Sequence, residues 1–407
     1  MTEWRKVKLG DILEIKHGYA FSGEHIIEED NNIVLVTPGN FRIGGGFQEK
    51  KCKFFDGEIP QDYILKEGDF IVTMTDLSKT IDTLGYSALV PKSKKRTYLH
   101  NQRIGLVQFK NDECDKGYIY WLMRTHDYQR VIANTSTGST VHHTSPSKIC
   151  DYECKVPSKT TQHNIAIILF RYDALIENYQ NQIKLLEESA QRLYKEWFVD
   201  LRFPGYEKTK VVDGVPEGWK VKKLIEICDV NITNISKSYA FDYLNYTDLG
   251  NVREGIIQGS TRYNYGQEPG RAKRVAKDGD IIWGMVRPNL KSYALIQNPK
   301  PQDVFSTGFA VLSAHSVPFT LLYCAITTDS FVGYLVNCTN GAAYPAVKPE
   351  HFENAKILVP SKDICDLYNI ITEPLFRKSS NISIQIHLLT EARDRLLPKL
   401  MSGEIKC

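Results

Sequence analysis

The feature that most constrains this sequence is that it is written twice. Val156-Pro157-Ser158-Lys159 recurs as Val359-Pro360-Ser361-Lys362, an offset of 203 residues, and the same offset carries Asn134 onto Asn337, Gly138 onto Gly341 and Pro146 onto Pro349. It also carries Ile183-Lys184-Leu185-Leu186 onto Ile386-His387-Leu388-Leu389, and Arg192-Leu193 onto Arg395-Leu396. Upstream the offset drifts. Gly68-Asp69-Phe70-Ile71 matches Gly279-Asp280-Ile281-Ile282 at 211, as does Gly39-Asn40-Phe41-Arg42 with Gly250-Asn251-Val252-Arg253, while Trp4 and Leu9 match Trp219 and Leu224 at 215. Drift of this kind is expected when two copies of one fold differ in loop length.

Each copy has a globular part and then a helical part. The globular parts, about 1 to 155 and 216 to 360, carry short β-type runs such as Ile33 to Val36, Phe70 to Thr73, Gly105 to Phe109 and Phe309 to Leu312. Gly, Asn, Asp and Pro separate these runs. One helix is predicted in each globular part, near Gly117 to Ala133 and near Pro318 to Val336. The mixture reads as α+β. From Ile165 to Phe198 there is neither Pro nor Gly. Ile168, Tyr172, Leu175, Tyr179, Gln182, Leu186, Ser189 and Leu193 recur there at alternating four and three, a coiled-coil seam. The second copy repeats it at Ile364, Tyr368, Ile371, Leu375, Ile382, Ile386, Leu389, Arg393 and Leu396, with Pro374 expected to kink or interrupt the helix. About 35 helical residues make a rod of roughly 50 Å. The two helices are expected to pair with each other. The alternative is that each packs on its own globular part.

Composition narrows the class. A length of 407 residues suggests two or three domains. With 42% hydrophobic and 24% charged residues, the chain can build ordinary cores. A net charge of +3 does not identify a nucleic-acid binder, so any polyanion site must come from local clusters. Nine cysteines without a CxxC pair read as reduced thiols rather than a disulfide framework or zinc site. The N-terminus does not run into an apolar signal core, and no stretch reaches the roughly 20 apolar residues of a membrane span. The expectation is a soluble cytoplasmic protein with no membrane contact.

Catalytic motifs are missing. There is no GxxxxGK[ST], no GxGxxG and no GxSxG. Gly44-Gly45-Gly46 reads as a turn. Asn298-Pro299-Lys300-Pro301 lacks the aromatic residue that an amino-methyltransferase would stack on a flipped base. His142-His143 would point to opposite faces of a strand, poorly placed to chelate one ion. No catalytic residue, metal site or cofactor is assigned.

Duplex DNA calls for Lys and Arg on phosphates and for amides and arginines on base edges. In the first copy the candidates are Lys92, Lys94, Lys95 and Arg96, then Asn101, Gln102 and Arg103, with His142 and His143. Lys50, Lys51 and Lys53 beside Phe54 and Phe55 form a further cluster. In the second copy the candidates are Arg262, Tyr263, Tyr265, Arg271, Lys273 and Arg274, then Arg287, Asn289 and Lys291. The loops Ser136 to His143 and Thr339 to Pro345 hold equivalent places and suit phosphate or base contact. Each cluster has an ordinary reading as solvated surface.

The opening Trp4-Arg5-Lys6-Val7-Lys8-Leu9-Gly10-Asp11-Ile12 and Val215-Pro216-Glu217-Gly218-Trp219 resemble the specificity subunits of type I restriction-modification enzymes. So do the run Leu193-Tyr194-Lys195-Glu196-Trp197-Phe198-Val199-Asp200 and the ending Arg395-Leu396-Leu397-Pro398-Lys399-Leu400-Met401-Ser402-Gly403-Glu404-Ile405. The resemblance covers essentially the whole chain. It departs at Thr160-Thr161-Gln162, where an acidic residue more often precedes the Gln; Thr can still cap a helix.

The resemblance implies an α+β protein of two repeated target-recognition domains joined by two long antiparallel coiled-coil helices, with pseudo-two-fold symmetry. The expected segments are recognition domain 1 at 1–155 and a helical spacer at 156–205. Recognition domain 2 follows at 206–360 with a linker at 206–215, and a second spacer at 361–407. Each domain would read one half of a bipartite, asymmetric DNA site, with the helices setting the gap and docking two methyltransferase subunits. Nuclease-translocase subunits would join through those, and this chain would itself be non-catalytic. Leu193, Tyr194, Trp197 and Phe198 are the expected partner-binding face. The competing readings are a cryptic single-chain methyltransferase or nuclease and a helical scaffold that does not bind DNA.

Overall fold

The computed structural model describes residues 4–49, 52–78, 80–236, 239–339 and 345–407. The chain divides into two compact units, Met1–Glu177 with His387–Cys407 and Asn178–Ile386. The division cuts through both long helices, so each unit owns part of each.

In the first unit a four-stranded antiparallel sheet has the order Leu13–His17, Ile104–Phe109, Phe70–Thr73, Ser87–Leu89. Beside it in sequence space lies a mixed five-stranded sheet. Its centre pairs Ile33–Val36 in parallel with Thr97–His100. In the second unit the first sheet recurs as Cys228–Val230, Phe309–Ala314, Ile281–Gly284, Tyr293–Leu295. The second recurs as four strands around the parallel pair Tyr243–Thr247 and Asp303–Ser306. Each unit is closed by a ribbon, Arg5–Lys8 on Glu153–Val156 and Lys220–Lys223 on Lys356–Val359. Apart from an additional edge strand in the first unit, Ile26–Ile27, the order and the sense of pairing are the same in both units, as the offsets predict.

The matched Gly-Asp pairs show why. Gly68 and Gly279 have φ of +80° and +85°, a conformation that glycine adopts without a Cβ penalty. The Asp69 and Asp280 carboxylates accept the backbone N–H of Lys66 and Lys277, each at 2.8 Å. The turns feed the runs Phe70–Thr73 and Ile281–Gly284, which are buried at every position. Burial on both faces explains why these strands read as continuous apolar runs.

The helix predicted near Gly117 to Ala133 is two helices, Lys116–Leu122 and His126–Asn134, and its repeat is Phe319–Ile326 and Asp329–Asn337. Thr125 and Thr328 make the break. Each is the N-cap of the second helix and accepts the N–H of Tyr128 or Phe331. Trp121, Tyr118 and Tyr128 fill the first core; Trp283 and Phe352 fill the second. No single helix among the described residues is long and apolar enough to cross a membrane. The bent pair Phe319–Ile326 and Asp329–Asn337 passes on length and composition together, but it is core of the second unit.

The first long helix runs from Lys159 to Tyr194 and ends in a π-turn, Lys195–Val199. The second runs from Lys362 to Ser402 without a break. Pro374 therefore does not interrupt it. The carbonyl that loses its donor belongs to Ile370, whose side chain is 70% exposed, so water can satisfy it. In the first unit, Ile165, Ala166 and Leu169 share a core with Leu397 and Leu400. In the second, Ala190 and Tyr194 share one with Cys365 and Tyr368, and the Tyr368 hydroxyl donates to the Ala190 carbonyl at 3.2 Å. The seam is less buried than its periodicity suggests. Leu175 and Ile371 of the seam are exposed, as are Leu185 and Leu388 beside it. Gly403, with φ +77°, lies against the ring of Trp4, where a Cβ would come within 2.8 Å.

Candidate nucleic-acid interface

In the first unit, Lys92, Lys94 and Lys95 are exposed on the loop before strand Thr97–His100. Ser93 shapes this loop, its hydroxyl accepting the N–H of Lys95 and Arg96 at 3.2 and 2.9 Å. Lys92 lies 3.7 Å from Glu67. Arg96 does not join the lysines. It pairs with Asp30 at 2.7 Å and Glu49 at 3.2 Å, with its guanidinium over the Phe54 ring. Tyr98 donates to the same Glu49 at 2.6 Å; burial first, and then this bond, raise its pKa. Arg96 is a strut under the loop, not a free phosphate ligand.

Asn101 is buried, and its side-chain oxygen caps the N–H of Arg103 at 3.0 Å. It shapes the turn and cannot offer its amide to an adenine, contrary to the sequence expectation. Gln102 and Arg103 remain exposed. His142 and His143 form a two-residue strand on Thr75–Asp76, and His143 Nδ1 lies 3.1 Å from the Thr75 hydroxyl. The segment from Ser136 closes as a hairpin through Thr137 and His143. Phe54 and Phe55 are core, not flanking surface, and Lys53 pairs with Glu28 at 3.0 Å. Lys50, Lys51 and residues 340–344 of the second loop lie outside the described residues.

In the second unit one sheet collects most of the candidates. Arg262 and Tyr263 sit on the edge strand Thr261–Asn264, and Lys273 and Arg274 on the opposite edge, Ala272–Arg274. Arg262 stacks on Tyr243, its guanidinium carbon 3.6 Å from the ring centroid. Tyr265 is 40% exposed and stacked on Tyr239 at 5.0 Å. Arg271 and Lys273 point outward and Ala272 inward, as strand alternation requires.

Two candidates on this sheet are corrected. Tyr263 packs against the small core of Leu244, Tyr246, Ala272 and Val304. Arg274 turns inward, donates to Asn234 at 3.0 Å and is lowered in pKa by desolvation. Arg287, Asn289 and Lys291 lie apart, on the turn before strand Tyr293–Leu295. Lys291 pairs with the exposed Asp329 at 2.8 Å; Arg287 and Asn289 are exposed.

The expected partner face is also corrected. Tyr194, Trp197 and Phe198 are 6–8% exposed and lie in the second unit's own core, with Leu193 packed against them. Tyr368 meets all three rings, at 5.0 to 6.4 Å. A side chain that closes the chain's own core cannot present itself to a partner.

Sequence reasoning missed Lys16 and Tyr19. Tyr19 is 42% exposed and packs on Tyr63, over which Lys16 places its ammonium at 4.9 Å. The group adjoins Gln102, whose N–H donates to the Tyr19 carbonyl. The available signal was Gly18. A Cβ there would fall 2.1 Å from the Asn101 carbonyl oxygen, so this chain crossing requires glycine.

These surfaces carry exposed cations interleaved with aromatic rings, one set per unit. Among the described residues no cluster of three or more His, Cys, Asp or Glu side chains could hold a metal ion. The class they define is a duplicated α+β protein with polar, cationic surfaces. Residues 1–188 match the family described as "Type I restriction modification DNA specificity domain". The chain is 27% identical to the Type I restriction enzyme MjaIX specificity subunit of Methanocaldococcus jannaschii, over 71% of this chain and 69% of that one. It is 23% identical to the HindI specificity subunit of Haemophilus influenzae over the full length of both. The fold is that of a type I restriction-modification S subunit from M. genitalium, with TM-score 0.58, 18% identity and coverage of 98% and 96%. Residues 1–188 thus carry a type I restriction-modification DNA specificity domain, and the chain as a whole is similar to type I specificity subunits.

Proposed function

We propose that this chain is the DNA-reading subunit of a type I restriction-modification complex, each recognition unit reading one half of a split, asymmetric duplex site. The observation that carries this is the duplication itself. One strand order is built twice, with different exposed residues on each copy. Two copies with a common scaffold and different surfaces suit two half-sites of different sequence. The helices set the gap between the halves and dock two methyltransferase subunits. Exposed apolar residues suit that docking in each unit by itself: Leu175 and Leu388 in the first, Leu185, Ile370 and Ile384 in the second. Nuclease-translocase subunits join through the methyltransferases in the cytoplasm. The chain itself transfers no methyl group and cuts no DNA.

Methylation mapping tests the reading. Co-expression with its methyltransferase partner in a methylation-free host should mark adenines in a bipartite motif with a fixed unspecified gap. A continuous motif, or no motif with the complex assembled, would overturn it. Methyl transfer by the purified chain alone would support the enzyme reading instead.

A further inference from the structure

The repeat preserves charged residues as well as core. For several matched pairs the structure supplies a reason. Asp69 and Asp280 cap equivalent turns. Arg192 and Arg395 each pair with the glutamate one helical turn back, Glu188 and Glu391. Lys8 pairs with Asp151 at 2.8 Å, and its counterpart Lys223 bonds Asn354 at 3.0 Å. The match of Gly39-Asn40-Phe41-Arg42 with Gly250-Asn251-Val252-Arg253 is different. Its second and third residues are explained: Asn40 and Asn251 close equivalent 3-10 turns, and Phe41 and Val252 are each 2% exposed in the core. Arg42 and Arg253 follow at the base of equivalent hairpins. Arg42 N–H donates to Gly46 across one; Arg253 faces Ile256 across the other. Both side chains are exposed, and among the described residues neither has a carboxylate within ion-pair distance.

We infer that Arg42 and Arg253 are a matched pair of DNA-backbone contacts, each gripping a phosphate beside the half-site its own unit reads. The inference rests on the function proposed above. Two units that read different bases share only the sugar-phosphate chain. A residue kept at one place in both copies, without a structural partner, fits what is common to both halves. The setting of Arg42 favours an anion. The neighbouring turn is held by Arg124, whose Nε donates to the Gly44 carbonyl at 2.9 Å, and Arg124 shares Asp173 with Arg393. Asp173 is thus already divided between two guanidiniums. Partial desolvation lowers the Arg42 pKa; Asp173 works the other way, and Arg124 and Arg393 lower it again. A phosphate would relieve that crowding.

The test is equilibrium binding of the assembled complex to cognate and scrambled duplexes between about 50 and 200 mM salt. Arg42→Ala and Arg253→Ala should each reduce the slope of log affinity against log salt by about 0.9, and the double variant by about twice that. The loss should be equal on both duplexes, with the methylated motif unchanged, and Arg42→Lys and Arg253→Lys should keep the slope. Thermal melting of each variant guards against a folding defect. An unchanged slope or an altered motif would each overturn the inference, and so would failure of a normally melting variant to assemble with the methyltransferase, which would mean a protein carboxylate is the occupant. Wild-type complex that prefers no sequence would instead defeat the function proposed above.

Discussion

Asp173 lies 3.0 Å from Arg124, tying the first long helix to the core helices of the first unit. It also pairs with Arg393 on the second long helix. The arginine side chains are 5% and 14% exposed. Asp173→Ala leaves two mostly buried cations without their shared partner. It should cost about 3 kcal/mol, the low end for a broken buried pair because Asp173 keeps some solvent. Urea denaturation measures this; a change below about 1 kcal/mol would show that water replaces the carboxylate.

In the second unit the same positions, at the offset of 203, hold Thr327, Phe376 and Ala190 in place of Arg124, Asp173 and Arg393. The sequence made the duplicated scaffold legible because cores and turns repeat. The Gly-Asp turns and the Val-Pro-Ser-Lys helix starts are fixed by backbone geometry, which does not vary between copies. Side-chain direction was not legible. Arg96 and Lys94 look alike in a basic run, and only the folded positions of Asp30 and Glu49 separate them. Trp197 and Phe198 looked like an interface because the sequence does not reveal that Tyr368, far along the chain, covers them.

Trp197→Ala should therefore act through stability. Emptying that position in a packed aromatic cluster should cost about 3–5 kcal/mol. Tyr368→Phe, which only removes the hydrogen bond to Ala190, should cost about 1 kcal/mol. Loss of partner binding by Trp197→Ala at unchanged melting temperature would restore the interface reading.

Glu187 gives a pH signature. Burial raises its carboxyl to about 7 from an ordinary 4.5. The neighbouring Tyr293 and Tyr323 phenols are raised too, Tyr293 to about 12, and stay neutral there. With the folded value above the unfolded one, the fold binds the extra proton. Stability is full at low pH and falls as pH rises from about 4.5 through 7. Glu187→Gln should melt higher than wild type at about pH 8 and alike near pH 4.5. A constant difference across that range would assign the effect to packing rather than ionisation.

Arg271→Ala with Lys273→Ala should weaken DNA binding without unfolding the second unit, since both side chains point outward. If both touch phosphates the salt slope falls by about 2. Arg274→Ala should instead lower stability by about 1 kcal/mol through its bond to Asn234. Methylation mapping should show relaxed reading in one half of the motif only. Relaxation in both halves at intact affinity would contradict separate reading by the two units.

The meeting of Trp4 with Gly403 makes the order of the chain cyclic. At the matching place in the other unit, Trp219 packs on Phe198 and Phe203, and there the backbone runs straight through. One junction is covalent and the other is only packed. A polypeptide sealed between the end of the second long helix and Trp4, and opened within 206–210, ahead of the Val211–Val212 and Val215–Pro216 hairpin, would keep every strand pairing in both units. The two tryptophan contacts are then equivalent seams in one ring, and either can be the open one.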